Sequence, residues 1–142
     1  MNSYIIRLIL VVVLCAGCTT YELSLNTLEK RFAEIDSSDL VLTRVKGPFG
    51  ETYSYLRHPG KFIPLENKEG EVVEVKISPS LEMKVTHDGG QKSYFYFDKV
   101  YVTDKYLIGD RSRFMDGFHK EIRIESIEKI EVQDGKKNFK YY

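Results

Sequence analysis

The sequence predicts an α+β, mostly β domain, with one short N-terminal amphipathic helix packed on a small antiparallel sheet or a small closed barrel. Three observations carry this expectation. From Leu40 onward apolar and polar residues alternate in short runs, the period of half-buried strands. Turn chemistry separates the runs, as in Asn67-Lys68-Glu69-Gly70 and His87-Asp88-Gly89-Gly90. Aromatic residues make up 13% of the chain, with 10 Tyr, 8 Phe and no Trp, a composition that fits a pleated, half-buried surface.

The elements follow in order. Met1 to Gly17 reads as a lipoprotein signal peptide, with Arg7 as its one charge, the uninterrupted apolar run Leu8–Leu14, and small Ala16 and Gly17 before Cys18. The apolar run is too short for the roughly 20 residues of a spanning helix. Cys18 is therefore expected to be lipidated and to open the mature chain, although Cys15 stands where Leu is usual. Multi-chain acylation, for instance with palmitate, anchors durably where a single chain does not. Residues 18–24 are expected to be a tether and residues 25–142 a single domain.

Asn26 reads as a helix N-cap with Glu29 completing a capping box, and Leu25, Leu28, Phe32 and Ile35 form one stripe. The helix is expected from Thr27 to Ile35. Leu40–Val45 is the first expected strand, and Lys46–Gly60 is the least regular stretch. Phe62–Glu66 and Val72–Ile77 flank a turn as a hairpin. Leu81–Thr86 and Tyr94–Phe97 flank another, and Val100–Thr103 leads on to Tyr106–Gly109. After the loop 110–118, His119–Ile124 and Lys129–Val132 are joined by one turn, and Asn138–Tyr142 ends the chain.

Phe95-Tyr96-Phe97, Leu107-Ile108-Gly109, Glu121-Ile122-Arg123-Ile124 and Ile127–Val132, together with Cys18-Thr19-Thr20-Tyr21-Glu22-Leu23, carry a resemblance. The chain resembles a family of small uncharacterised lipoproteins of Gram-negative bacteria over most of its mature length, with Lys46–Lys61 matching poorly. The resemblance implies no catalytic residues. The strand–turn–strand ending also resembles small Sm-like and SH3-like barrels, and fold likeness of that kind supplies no function.

Composition excludes several classes. Both cysteines, Cys15 and Cys18, fall in the signal region, so the mature domain has no disulfide, thiolate metal site or thiol nucleophile. Without Arg7 the 21 basic residues become 20 against 21 acidic ones, which leaves no basic excess for nucleic acid. His58, His87 and His119 all border turns at no metal-ligand spacing, and are expected as surface loop residues rather than a metal site. Ser126-Ile127-Glu128-Lys129 matches Ser-x-x-Lys by chance, since that motif needs a helix start inside a larger enzyme. Acidic pairs such as Glu69 and Glu71 are ordinary solvated charges.

The most suggestive constellation is the loop Asp110–Lys120, in which Arg111, Arg113, Phe114, Met115, Phe118 and His119 mix cations with apolar side chains. Exposed Arg beside aromatic residues is a binding composition. The expected protein is a lipid-anchored envelope module without enzymatic activity and without cofactor. Its expected place is the periplasmic face of the outer membrane, as Thr19 in place of Asp favours. Its expected partner is an envelope protein or other component. An envelope hydrolase and a self-assembling structural module are the alternatives.

Overall fold

The computed structural model describes residues 19–32, 35–112 and 118–142. Among the described residues twelve strands and one α-helix follow one another: β1 (Thr20–Glu22), α1 (Leu25–Phe32), β2 (Val41–Lys46), β3 (Thr52–Arg57), β4 (Phe62–Glu66), β5 (Val72–Lys76), β6 (Leu81–His87), β7 (Gln91–Tyr96), β8 (Val100–Val102), β9 (Tyr106–Asp110), β10 (His119–Arg123), β11 (Ile127–Asp134) and β12 (Lys140–Tyr141). The largest sheet has the order β5-β4-β1-β11-β6-β7, and two three-stranded sheets have the orders β10-β9-β8 and β12-β2-β3. Every strand pairing is antiparallel.

None of these sheets closes on itself, so the small barrel is replaced by open sheets packed together. The short turn expected at Glu125–Ile127 lies one residue earlier, at Ile124–Ser126, and does join two late strands. Those strands, β10 and β11, lie in different sheets, so the turn passes the chain between sheets instead of closing one.

Alternation decides which faces meet. On β6, Leu81, Met83, Val85 and His87 are buried while Glu82, Lys84 and Thr86 are less so. Ile130 and Val132 of β11, opposite Val85 and Met83, continue the inner face. Leu107, Val100, Val102 and Ile122 of the β10-β9-β8 sheet join the same core, as do Leu28 and Phe32 of α1. The two sheets approach closely at Gly109, where an added Cβ would lie 2.6 Å from Cδ1 of Phe95. On the outer face Lys84 lies opposite Glu131 and pairs with it at 2.5 Å.

Four sequence expectations change. Residues 20–22, expected in a tether, form β1, an interior strand between β4 and β11; Tyr21 faces Val132 and packs against the core. The helix starts at Leu25 and not at Thr27, because the cap is Ser24 and not Asn26: the Thr27 N–H donates to Ser24 Oγ at 3.1 Å. Such a cap contributes about 1 kcal/mol. Lys30 and Arg31 in the last turn suit the negative end of the helix dipole. Thr52–Arg57, within the stretch expected to be irregular, is the full-length partner of β2. His58 and His87 are buried, and of the three histidines only His119 is exposed.

Candidate functional site

A largely apolar cleft of about 410 Å³ lies between the end of α1, strand β3 and strand β8. Phe32, Ile35, Leu40, Leu56, Val100 and Tyr101 give it apolar walls, and Asp98, Lys99, His58 and Asp110 add polar groups. A single 3-10 turn, Phe97–Lys99, positions Asp98 and Lys99 as the chain passes from β7 to β8.

Asp98 is only 1% exposed. A buried carboxylate must be hydrogen-bonded to be tolerated, and two tyrosines meet that need. Tyr141 of β12 donates its hydroxyl hydrogen to Asp98 Oδ2 at 2.9 Å, and Tyr55 of β3 donates to the same oxygen. Burial, and then the Asp98 charge, push the Tyr141 hydroxyl well above the ordinary phenol range. The Arg57 guanidinium covers the Tyr141 ring at 4.7 Å and donates to the His58 carbonyl at 2.6 Å. The β12-β2-β3 sheet is thus fastened to the rest of the molecule around one carboxylate.

Lys99 is held equally firmly. Its side chain is 6% exposed and its Nζ lies 2.8 Å from Asp110 Oδ2. The ammonium also sits 5.1 Å from the centroid of the Tyr55 ring, a cation–π contact. His58 is fixed through both ring nitrogens. The Gly60 N–H donates to Nδ1 at 2.8 Å, so Nε2 carries the hydrogen and donates to the Arg31 carbonyl at 3.1 Å. That bond satisfies one of the orphan carbonyls at the end of α1. Burial is the main cause of the lowered His58 pKa, which keeps the ring neutral.

The loop singled out in the sequence begins at this cleft. Asp110, the last residue of β9, lines it, and the Lys99 ammonium donates to the Ser112 carbonyl at 3.4 Å. At the base of the loop the Arg111 N–H donates to the Phe118 carbonyl at 3.1 Å. Arg111, Phe118 and His119 are exposed. Arg113, Phe114 and Met115 lie outside the described residues, as does Cys18.

A second polar chain lies elsewhere, where β7 meets β10. His87 Nδ1 is 2.8 Å from Asp88 Oδ2, and Nε2 is 2.9 Å from Ser93 Oγ. The carboxylate only accepts, so Nδ1–H donates to Asp88 and the Ser93 hydroxyl donates to Nε2. Lys120 Nζ donates in turn to Ser93 Oγ at 2.8 Å. The His87 hydrogen bond holds the Asp88 carboxyl below its usual range. Ser-His-Asp order is the connectivity of a nucleophile and its base, but Ser93 is 2% exposed and faces the interior.

Neither cluster was visible in the sequence. Asp98 lies 43 residues from both Tyr55 and Tyr141, and the notable signal was a single Asp in an aromatic run. Ser126 and Lys129, the chance motif, are engaged apart: Ser126 donates to the Arg123 carbonyl at 2.8 Å, and Lys129 pairs with Glu22 at 3.5 Å. Among the described residues no three His, Cys, Asp or Glu side chains gather as a metal would require. Compared with known protein families, curated protein sequences and solved structures, the chain matches none.

Proposed function

We propose that this protein is a lipid-anchored envelope lipoprotein, attached through Cys18 to the outer membrane on its periplasmic side, and that it works as a binding module without enzymatic activity. The signal-like segment 1–17 and the resemblance to small bacterial lipoproteins support the anchoring. The cleft supports the binding role, and one observation carries that reading: its walls are mainly apolar while Asp98, Lys99, Asp110 and His58 are already engaged within the fold. Asp98 holds two tyrosines, Lys99 holds Asp110, and His58 bonds through both nitrogens. Such a site can grip an apolar segment of an envelope component, since Asp98, Lys99 and His58 make their hydrogen bonds within the fold. Asp110, at the start of the loop 110–120, lines the cleft, so the cations and apolar residues of that loop are proposed to add to the contact.

A photoreactive residue in place of Tyr101, exposed at the rim, tests this in intact envelopes. The expected product is a discrete heavier adduct that is lost with Leu56→Asp or with Arg111→Ala combined with Arg113→Ala. Recovery of the monomer alone would remove the binding reading, and an adduct of exactly twice the chain mass would favour the self-assembling alternative. The hydrolase alternative has one observation in its favour, the Ser93–His87–Asp88 chain.

A further inference from the structure

The outer face of the β12-β2-β3 sheet combines cations with exposed apolar side chains. Strand register places Leu42, Arg44 and Lys46 of β2 on it, with Thr52, Ser54 and Leu56 opposite them on β3. Lys140 of β12 lies directly opposite Lys46, and the Tyr142 N–H bonds to the Arg44 carbonyl at 2.9 Å. No acidic residue occupies a strand position on this face. Among the described residues Arg44, Lys46 and Lys140 have no carboxylate partner, whereas on the main sheet Lys84 and Lys129 pair with Glu131 and Glu22. Like charges directly opposite, as at Lys46 and Lys140, are unfavourable in isolation.

Large apolar groups stand beside these cations. Leu42 is 70% exposed and Tyr142 81%, and Phe49, at the tip of the β2–β3 hairpin, is 95% exposed. Two hydrogen bonds close the tip around it: Phe49 N–H donates to Glu51 Oε2 at 2.9 Å, and Gly47 N–H to the Glu51 carbonyl at 2.8 Å. The aromatic ring is therefore presented by a closed turn.

We infer that this face docks on an anionic lipid bilayer, with Arg44, Lys46 and Lys140 over the headgroups and Phe49 entering the interface. Cations attract acidic headgroups, and exposed aromatic and aliphatic side chains partition into the interfacial layer, so the two sets act together. A soluble polyanion would use the cations and leave Phe49 and Leu42 in water. The position in the fold agrees: Thr20 pairs with Gln133 near the end of β11, and the connection 135–139 leads from there to β12. The entry of the chain at residue 19 and the basic sheet are thus joined through the end of β11 and this short connection. The inference concerns a surface of the folded domain and is independent of acylation at Cys18.

The test uses residues 18–142 with Cys18→Ser, which contain all the core residues described and cannot carry the lipid. Sedimentation with vesicles of phosphatidylglycerol and phosphatidylcholine is compared with pure phosphatidylcholine. Binding is expected to the anionic vesicles and to fall steeply as salt rises. Each basic residue near an anionic surface strengthens binding about five-fold, so Arg44→Gln, Lys46→Gln and Lys140→Gln together are expected to weaken it on the order of a hundred-fold. Phe49→Ala is expected to weaken it several-fold, and Lys68→Gln with Lys105→Gln and Lys136→Gln to have little effect. All these positions are exposed, and circular dichroism checks that each variant folds. Equal binding to neutral vesicles, an unaffected triple variant, or binding to a soluble polyanion but not to vesicles would each overturn the inference. Loss of anchoring in cells with Cys18→Ser would bear on lipidation alone.

Discussion

The Tyr141 hydroxyl reaches across the molecule to Asp98 and donates to its Oδ2 at 2.9 Å, sharing that oxygen with Tyr55. A strand of two residues, β12, is thereby bound to the centre of the fold. The arrangement is a clamp on a carboxylate 1% exposed, and its strength depends on both donors being present.

Removing either donor leaves a buried charge less well satisfied, at a cost of about 1.5–3 kcal/mol for a hydrogen bond to a charged group. Tyr141→Phe and Tyr55→Phe are each expected to lower the urea midpoint accordingly. The double variant should depart from the sum of the two, because both act on one oxygen. Strict additivity would show that the hydroxyls act independently. Tyr141 also gives an alkaline signature. Its raised pKa means the unfolded chain releases this proton first, so the stability it contributes is complete below about pH 10 and falls as pH climbs above it. Tyr141→Phe should reduce that alkaline slope.

His58 gives the opposite signature in acid. Its folded pKa is lowered, mainly by burial, so as pH falls below about 6.5 the unfolded chain takes up a proton that the folded ring resists. Stability is complete above that pH and declines as pH falls towards the folded value. His58→Gln should be less stable at pH 7.5, having lost its packing 4.6 Å from the Phe32 ring, yet show a flatter profile between pH 7 and 5. Equal slopes for the two proteins would exclude His58 as the source.

Gly109 is required by close approach rather than by backbone conformation. A Cβ there would meet Phe95 Cγ at 2.7 Å and Cβ at 3.2 Å. Gly109→Ala should therefore destabilise by about 1–3 kcal/mol, the usual cost of overpacking. Adding Phe95→Leu should recover part of that loss in thermal unfolding, although Phe95→Leu alone is destabilising. A double variant no better than Gly109→Ala would locate the strain elsewhere.

Ser93 separates the hydrolase from the binding module. A fluorophosphonate probe should leave it unlabelled, because the hydroxyl is buried between sheets. Labelling that disappears in Ser93→Ala would establish a nucleophile and overturn the non-enzymatic reading. Ser93→Ala should in any case cost about 1–3 kcal/mol, since His87 Nε2 and the Lys120 ammonium both lose a partner.

Legibility in the sequence follows the kind of residue that does the burying. β6 alternates Leu, Met and Val with charged residues, and its strand and turn were plain. In β3 the inward positions are Tyr53, Tyr55 and Arg57, with Leu56 facing out, so the hydrophobic period has the wrong content and the strand is hidden. β1 is too short to show any period at all. His58 and His87 sit beside turn residues, which suggested exposure, yet each is buried because local backbone or side-chain groups satisfy its ring nitrogens. The loop 110–120 was singled out by composition. The cleft beneath it depends on pairings such as Tyr55 with Asp98 that no local pattern contains.

β1 has a mechanical consequence. It is an interior strand, hydrogen-bonded into the sheet from Thr20 and flanked by β4 and β11. Tension arriving through residue 19 would meet no slack and no edge to peel. It would load both neighbouring strands together and pass at once, through Tyr21 and Leu23, into the core. A domain held this way follows every displacement of whatever lies upstream, like a plate bolted near its middle rather than a weight on a string.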